Sequence, residues 1–119
     1  MNSNKIGNWG EEKAASYLKR HGYKVLDRNC RYRQGEIDIV AEKKELIVFV
    51  EVKTRKNDNY AEAREFVTNA KQQRVIAAAQ LWMQENDCEK QPRFDVIEIY
   101  APNGESSHNV KINHLKNAF

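Results

Sequence analysis

The chain has 119 residues, which points to one domain at roughly 150 residues per domain. Hydrophobic residues make up 40% and charged residues 31%, a balance that excludes disordered and fibrous classes. A net charge of +3 permits an anionic partner without demanding one. The longest apolar run, residues 46–50, is far short of the roughly 20 residues that span a bilayer, so no membrane association is expected.

No apolar stretch follows Met1-Asn2-Ser3-Asn4-Lys5, so no secretory signal is visible and a cytoplasmic location is expected. Cys30 and Cys88 have no second Cys or His at ligand spacing, which fits free thiols in a reducing compartment. His21, His108 and His114 form no zinc-binding array.

In chain order, the spacing of Ala14, Ala15 and Leu18 predicts a helix over about 6–20, ended by Gly22 as a left-handed cap. A strand is expected over 23–29. Two strands of period-two pattern follow, 36–41 and 46–55, joined by the polar turn 42–45 as an antiparallel hairpin. Residues 56–60 read as a polar turn. A helix over 69–85 carries Val75, Ala78, Ala79 and Trp82 on its apolar stripe, with Thr68 or Asn69 as N-cap. Strands over 93–100 and 110–115, separated by Pro102-Asn103-Gly104, close the chain. The fold class is α/β, in the order α-β-β-β-α-β-β, with a mixed sheet flanked by helices.

Chemistry concentrates in the hairpin. Along residues 47–55 successive side chains alternate faces, so Glu51 and Lys53 project together beside Phe49. Charges inside an apolar strand are expensive unless paired or bound to a metal. Asp38, between Ile37 and Ile39, is a second such carboxylate, and a turn centred on residues 44–45 sets it near Glu51. Two adjacent acids repel unless a cation separates them, and a hard divalent ion such as Mg²⁺ suits oxygen donors. Glu11 shares a helix face with Ala14, Ala15 and Leu18 and is expected to point at the sheet, whereas Glu12 falls on the wetter side. Trp9 reads as a packing anchor and Cys30 as a small, half-buried residue without chemistry.

Gly10-Glu11, Gly35-Glu36-Ile37-Asp38 and the run from Phe49 to Arg55 resemble the YraN-like bacterial family, placed in the PD-(D/E)xK nuclease superfamily. Archaeal Holliday-junction resolvases and restriction endonucleases are its relatives. The resemblance extends through Lys71-x-x-Arg74, Arg93-Phe94-Asp95-Val96 and Asn117-Ala118-Phe119. It implies a restriction-endonuclease-like domain over 1–119 and a phosphodiesterase dependent on Mg²⁺ or Mn²⁺. Asp38 and Glu51 would match the metal-binding acids, Lys53 the catalytic lysine, and Glu11 the helix carboxylate that completes the ion's shell. The Pro usual before the Asp is Ile37 here. The Val52 carbonyl is expected to join Asp38 and Glu51 around the ion, with Lys53 offsetting charge on the phosphate.

Arg28, Arg31 and Arg33 before the acidic strand, Arg55 and Lys56 after it, and Lys71 and Arg74 on the second helix would form a basic rim for DNA phosphates. No base-reading module is recognisable, so recognition of branched or damaged DNA by structure is expected. Resolvase-like relatives act as dimers, which implies a homodimer. Two further classes compete: a nucleic-acid-binding module without turnover, and an interaction domain using residues 113–119.

Overall fold

A computed structural model describes residues 5–55, 68–104 and 109–119, with side chains from residue 8 onward. The expected polar turn at 56–60, with Lys56, and the extreme N-terminus at residues 1–4 lie outside the described residues, as does His108.

The first helix, α1 (Lys5–Arg20), stops where the sequence indicates. Gly22 takes φ +88°, a conformation that needs no Cβ, and the Tyr23 N–H returns to the Leu18 carbonyl at 2.9 Å. Strand β1 (Lys24–Arg31) then runs two residues beyond expectation. Its far end is set by a tight turn in which Tyr32 and Gly35 exchange backbone hydrogen bonds of 2.9 and 3.2 Å. Arg33 sits at the tip of that turn. A bulge between Val25 and Asp27 breaks the alternation of β1, which explains its weak period-two signal.

Strand β2 (Glu36–Lys43) and β3 (Leu46–Arg55) form the expected antiparallel hairpin, with only Lys44 and Glu45 between them. Helix α2 (Asn69–Glu85) is capped by Thr68, whose hydroxyl accepts from the Lys71 N–H at 3.2 Å. It carries the chain over to β4 (Gln91–Tyr100), which pairs parallel to β3, and β5 (Lys111–Leu115) returns antiparallel. The sheet order is β1-β2-β3-β4-β5.

The two helices occupy opposite faces of this sheet. Ala14, Ala15 and Leu18 of α1 bury against Ile39, Ala41, Val48, Val50, Ile97 and Ile99. On the other side Val75, Ala78, Ala79 and Trp82 of α2 cover Val40, Ile47 and Phe49. The Trp82 ring meets Phe49 edge-on at 5.9 Å, and its Nε1–H donates to Asp27 at 3.0 Å. Strand β3 is therefore buried on both faces from Ile47 to Glu51, which makes the Glu51 charge conspicuous. Trp9 packs against the α1 core as expected.

Residues 113–119 pack on their own chain. Phe119 stacks on Phe94 at 5.2 Å, and the Ala118 N–H donates to the Phe94 carbonyl at 2.7 Å. Among the described residues, no helix is long and apolar enough to cross a membrane. Both cysteines are free and half-buried. Burial, reinforced by Asp27, pushes the Cys30 thiol up to about 12, so it is chemically quiet.

Candidate active site

The site begins where the hairpin stops pairing. The β2–β3 ladder ends at Ile39 opposite Val50. One residue further, the Asp38 side chain takes over the role of a backbone acceptor: its Oδ2 accepts from the Val52 N–H at 2.8 Å. Because the N–H and C=O of one strand residue point to the same edge, the Val52 carbonyl lies on Asp38's side of β3. The turn-based register thus places Asp38 beside Glu51, as expected from the sequence.

Glu51 is buried, with its side chain 10% exposed, and its Oε2 receives two ammonium groups. Lys53 Nζ stands at 3.2 Å and Lys71 Nζ, from the first turn of α2, at 2.7 Å. A pocket of about 800 Å³ opens above the acids, lined by Asp38 and Glu51 and by Arg31, Arg33, Lys71 and Arg74. Four of the seven cations expected to form the basic rim therefore share one cavity with Asp38 and Glu51. Arg55 does not line it and is half-buried at the end of β3, where its carbonyl accepts from the Ala101 N–H. Arg28 is also turned away, because it forms ion pairs with Glu12 at 2.9 Å and Glu11 at 3.7 Å.

Gly35 fixes the distance between the arginine-bearing turn and α2. A methyl group at that position would collide with the Arg74 carbonyl, so only glycine lets the turn lie against the helix backbone. Gly10 plays the same part for α1, whose backbone rests on the Thr54 side chain. Sequence reading passed over both close approaches, since an isolated glycine does not reveal which backbone it meets.

Glu11 does point at the sheet, as its helical spacing requires, and it is 9% exposed. It does not line the pocket. Arg28 stands beside it at 3.7 Å, yet among the described residues Oε1 accepts no hydrogen bond. Burial raises the Glu11 carboxyl above its ordinary value, with the Arg28 charge opposing. Among the described residues no three acids, histidines or cysteines gather closely enough to hold an ion unaided. Of the expected three acids and one lysine, Asp38 and Glu51 line one pocket, Lys53 stands on Glu51, and Glu11 lies beside Arg28 on the α1 side of the sheet.

The electrostatics follow from this burial. Burial first, then the Glu51 charge and more weakly Glu11, push Asp38 from 3.8 up to about 7, against the Val52 hydrogen bond and Lys53. Lys53 is lowered, by burial and then by its neighbour Lys71, with Glu51 opposing. For Lys71 burial also disfavours the charge, but bonding to Glu51 outweighs it and the ammonium is raised.

A carboxyl whose folded value exceeds its unfolded one favours the folded state below about pH 4, and that contribution is lost as pH rises through 7. In the absence of divalent cations, Asp38→Asn is therefore expected to stabilise the protein at pH 8 by about 2–4 kcal/mol and to change little at pH 4. Thermal unfolding at the two pH values checks this. A variant less stable than its parent at pH 8 would mean that the buried anion is not the costly species.

Part of a donor set for a hard divalent cation is present on the pocket: the carboxylates of Asp38 and Glu51 and, beside them, the Val52 carbonyl, which leave the remaining positions to water or phosphate.

Comparison with known proteins adds the family. Residues 10–99 match the model of "Uncharacterised protein family UPF0102". A UPF0102 protein of Caldanaerobacter subterraneus subsp. tengcongensis is 43% identical over 120 residues, covering 100% of this chain and 98% of that protein. One from Syntrophotalea carbinolica is 44% identical over 115 residues, covering 96% and 90%. One from Clostridium botulinum is 43% identical over 116 residues, covering 96% and 93%. Full-length similarity at this level, together with the motifs around Asp38 and Glu51, shows that the chain belongs to the YraN-like family UPF0102.

Proposed function

We propose that the protein is a divalent-metal-dependent phosphodiester hydrolase acting on DNA, with structure rather than sequence as its criterion. The observation that carries this reading is Asp38 and Glu51 lining one pocket with four cations, while Lys53 stands 3.2 Å from Glu51. Carboxylates collect a metal and cations collect phosphate, and both are needed only where the two meet.

Asp38, Glu51 and the Val52 carbonyl would hold the ion, with Glu11 supporting from α1. When bound, such a cation supplies Lewis-acid polarisation of phosphate and water. Lys53, on β3 two residues beyond the buried Glu51 and 3.2 Å from its carboxylate, would offset charge that develops on the phosphoryl oxygens. Arg31, Arg33 and Arg74 hold the flanking backbone, with Arg33 presented on a hairpin tip that can enter a groove. The backbone contacts position and do not read bases. Free thiols and the quiet Cys30 suit a reducing cytoplasm.

Labelled linear, nicked, flapped and four-way DNA incubated with Mg²⁺ or Mn²⁺ tests the proposal, with Glu51→Ala as control. Cation-dependent cleavage of at least one substrate, absent from the control, is the expected result. Binding without cleavage would instead assign a nucleic-acid-binding module. Neither binding nor cleavage would leave an interaction domain.

A further inference from the structure

Glu51 carries one more cation than a catalytic lysine explains. Lys53 stands at 3.2 Å on β3 with its side chain 19% exposed. Lys71 approaches closer, 2.7 Å, from the first turn of α2 with its side chain 36% exposed. It also lines the pocket beside Arg74, one helical turn away. A compact ammonium on a flexible four-carbon stem can exchange one anion for another within its reach.

We infer that Lys71 is a built-in counter-ion that holds the cation position on Glu51 in the free protein and surrenders it when a phosphate enters the pocket. The inference rests on the metal-site reading above and adds its regulation. Lys53 and Lys71 already bring two ammonium groups onto Oε2 of Glu51, at 3.2 and 2.7 Å, so a divalent ion at that oxygen is repelled by both and gains most when the more exposed one, Lys71, leaves. A DNA phosphate beside Arg31, Arg33 and Arg74 gives Lys71 a second anion and frees Glu51. Metal and DNA then bind cooperatively, and each must strengthen the other by the same factor. The free protein would hold its ion weakly and load it on its substrate.

The test is Mn²⁺ binding, followed by the electron-paramagnetic resonance of the free ion. It is measured with and without a short phosphorothioate duplex, after subtracting the Mn²⁺ that the duplex binds by itself. The parent protein is expected to bind Mn²⁺ about tenfold more tightly with DNA present. Lys71→Met should bind Mn²⁺ about tenfold more tightly than the parent without DNA, and gain little when DNA is added. Lys71→Arg, which keeps a cation at the position, should retain the coupling.

If Lys71→Met binds Mn²⁺ no better than the parent while Asp38→Ala abolishes binding, the metal site stands and the counter-ion role falls. If no protein binds Mn²⁺ even with DNA present, the metal-site reading falls and takes this inference with it.

Discussion

Lys53→Met is expected to slow cation-dependent DNA cleavage by about 10²–10³-fold while the protein stays folded. The side chain is four-fifths buried and fixed at 3.2 Å from Glu51, so its ammonium is pre-aimed and needs no reorganisation during reaction. Methionine preserves the length and apolar stem but removes the charge. The partner it leaves is not orphaned, because Lys71 still bonds Glu51 at 2.7 Å. Stability should therefore change by no more than about 1 kcal/mol, separating this variant from a merely misfolded one. Single-turnover cleavage and thermal unfolding, measured on the same preparation, check both halves. A rate within a few-fold of the parent would remove Lys53 from the chemistry.

The second large effect lies on the other face of the sheet and concerns stability alone. Asp95 is wholly buried, yet four hydrogen bonds hold it: two from Arg93 at 2.9 and 2.8 Å, one from His114 at 2.7 Å and one from the Asn117 N–H at 3.0 Å. Arg93 also donates to the Tyr23 hydroxyl at 2.7 Å, and His114 Nδ1 lies 3.1 Å from the Tyr17 hydroxyl. A neutral His114 with its proton on Nε2 satisfies both of its partners. The network thereby ties α1 and the Tyr23 turn to the last two strands.

Asp95→Ala would strand a buried guanidinium and is expected to cost about 3–5 kcal/mol. Burial alone would raise the Asp95 carboxyl, but bonds from His114, Arg93 and Asn117 hold it below its ordinary value. The stability it supplies is accordingly present above about pH 4 and lost as pH falls further. Denaturant unfolding at neutral pH and at pH 3 should show a large deficit in the variant at the first and a smaller one at the second. An equal deficit at both would assign the loss to packing instead of charge.

Much of this was legible in the sequence because it rests on short-range rules. A polar turn over 42–45 centred on residues 44–45, with strict alternation, placed Asp38 beside Glu51, and Lys53 on the same face as Glu51. Thr68 and Gly22 punctuated the helices through hydrogen bonds to near neighbours. Long-range pairing was not legible. Nothing in residues 28–33 says that Arg28 will turn to α1 while Arg31 and Arg33 face α2. Lys71 reads as one more rim cation until the crossover helix is placed, when it becomes a partner of Glu51. Asp95, set between Phe94 and Val96, carries the same signal that drew attention to Asp38, a carboxylate inside an apolar strand. Its partner His114, and Tyr23, which joins the network through Arg93, are too distant in sequence to be guessed.

The brevity of the Lys44–Glu45 connection reaches further than the end of the sheet it closes. Cross-strand partners in a hairpin are counted from its bend, so one residue added there would slide β3 past β2 by one position and turn a strand's side chains over. Asp38 and Glu51 would then look away from each other, although neither they nor anything touching them had been altered. Two solvent-facing residues thus act as the ruler for the spacing of the two carboxylates. Length variation among family members is therefore expected in other connections and not in this one.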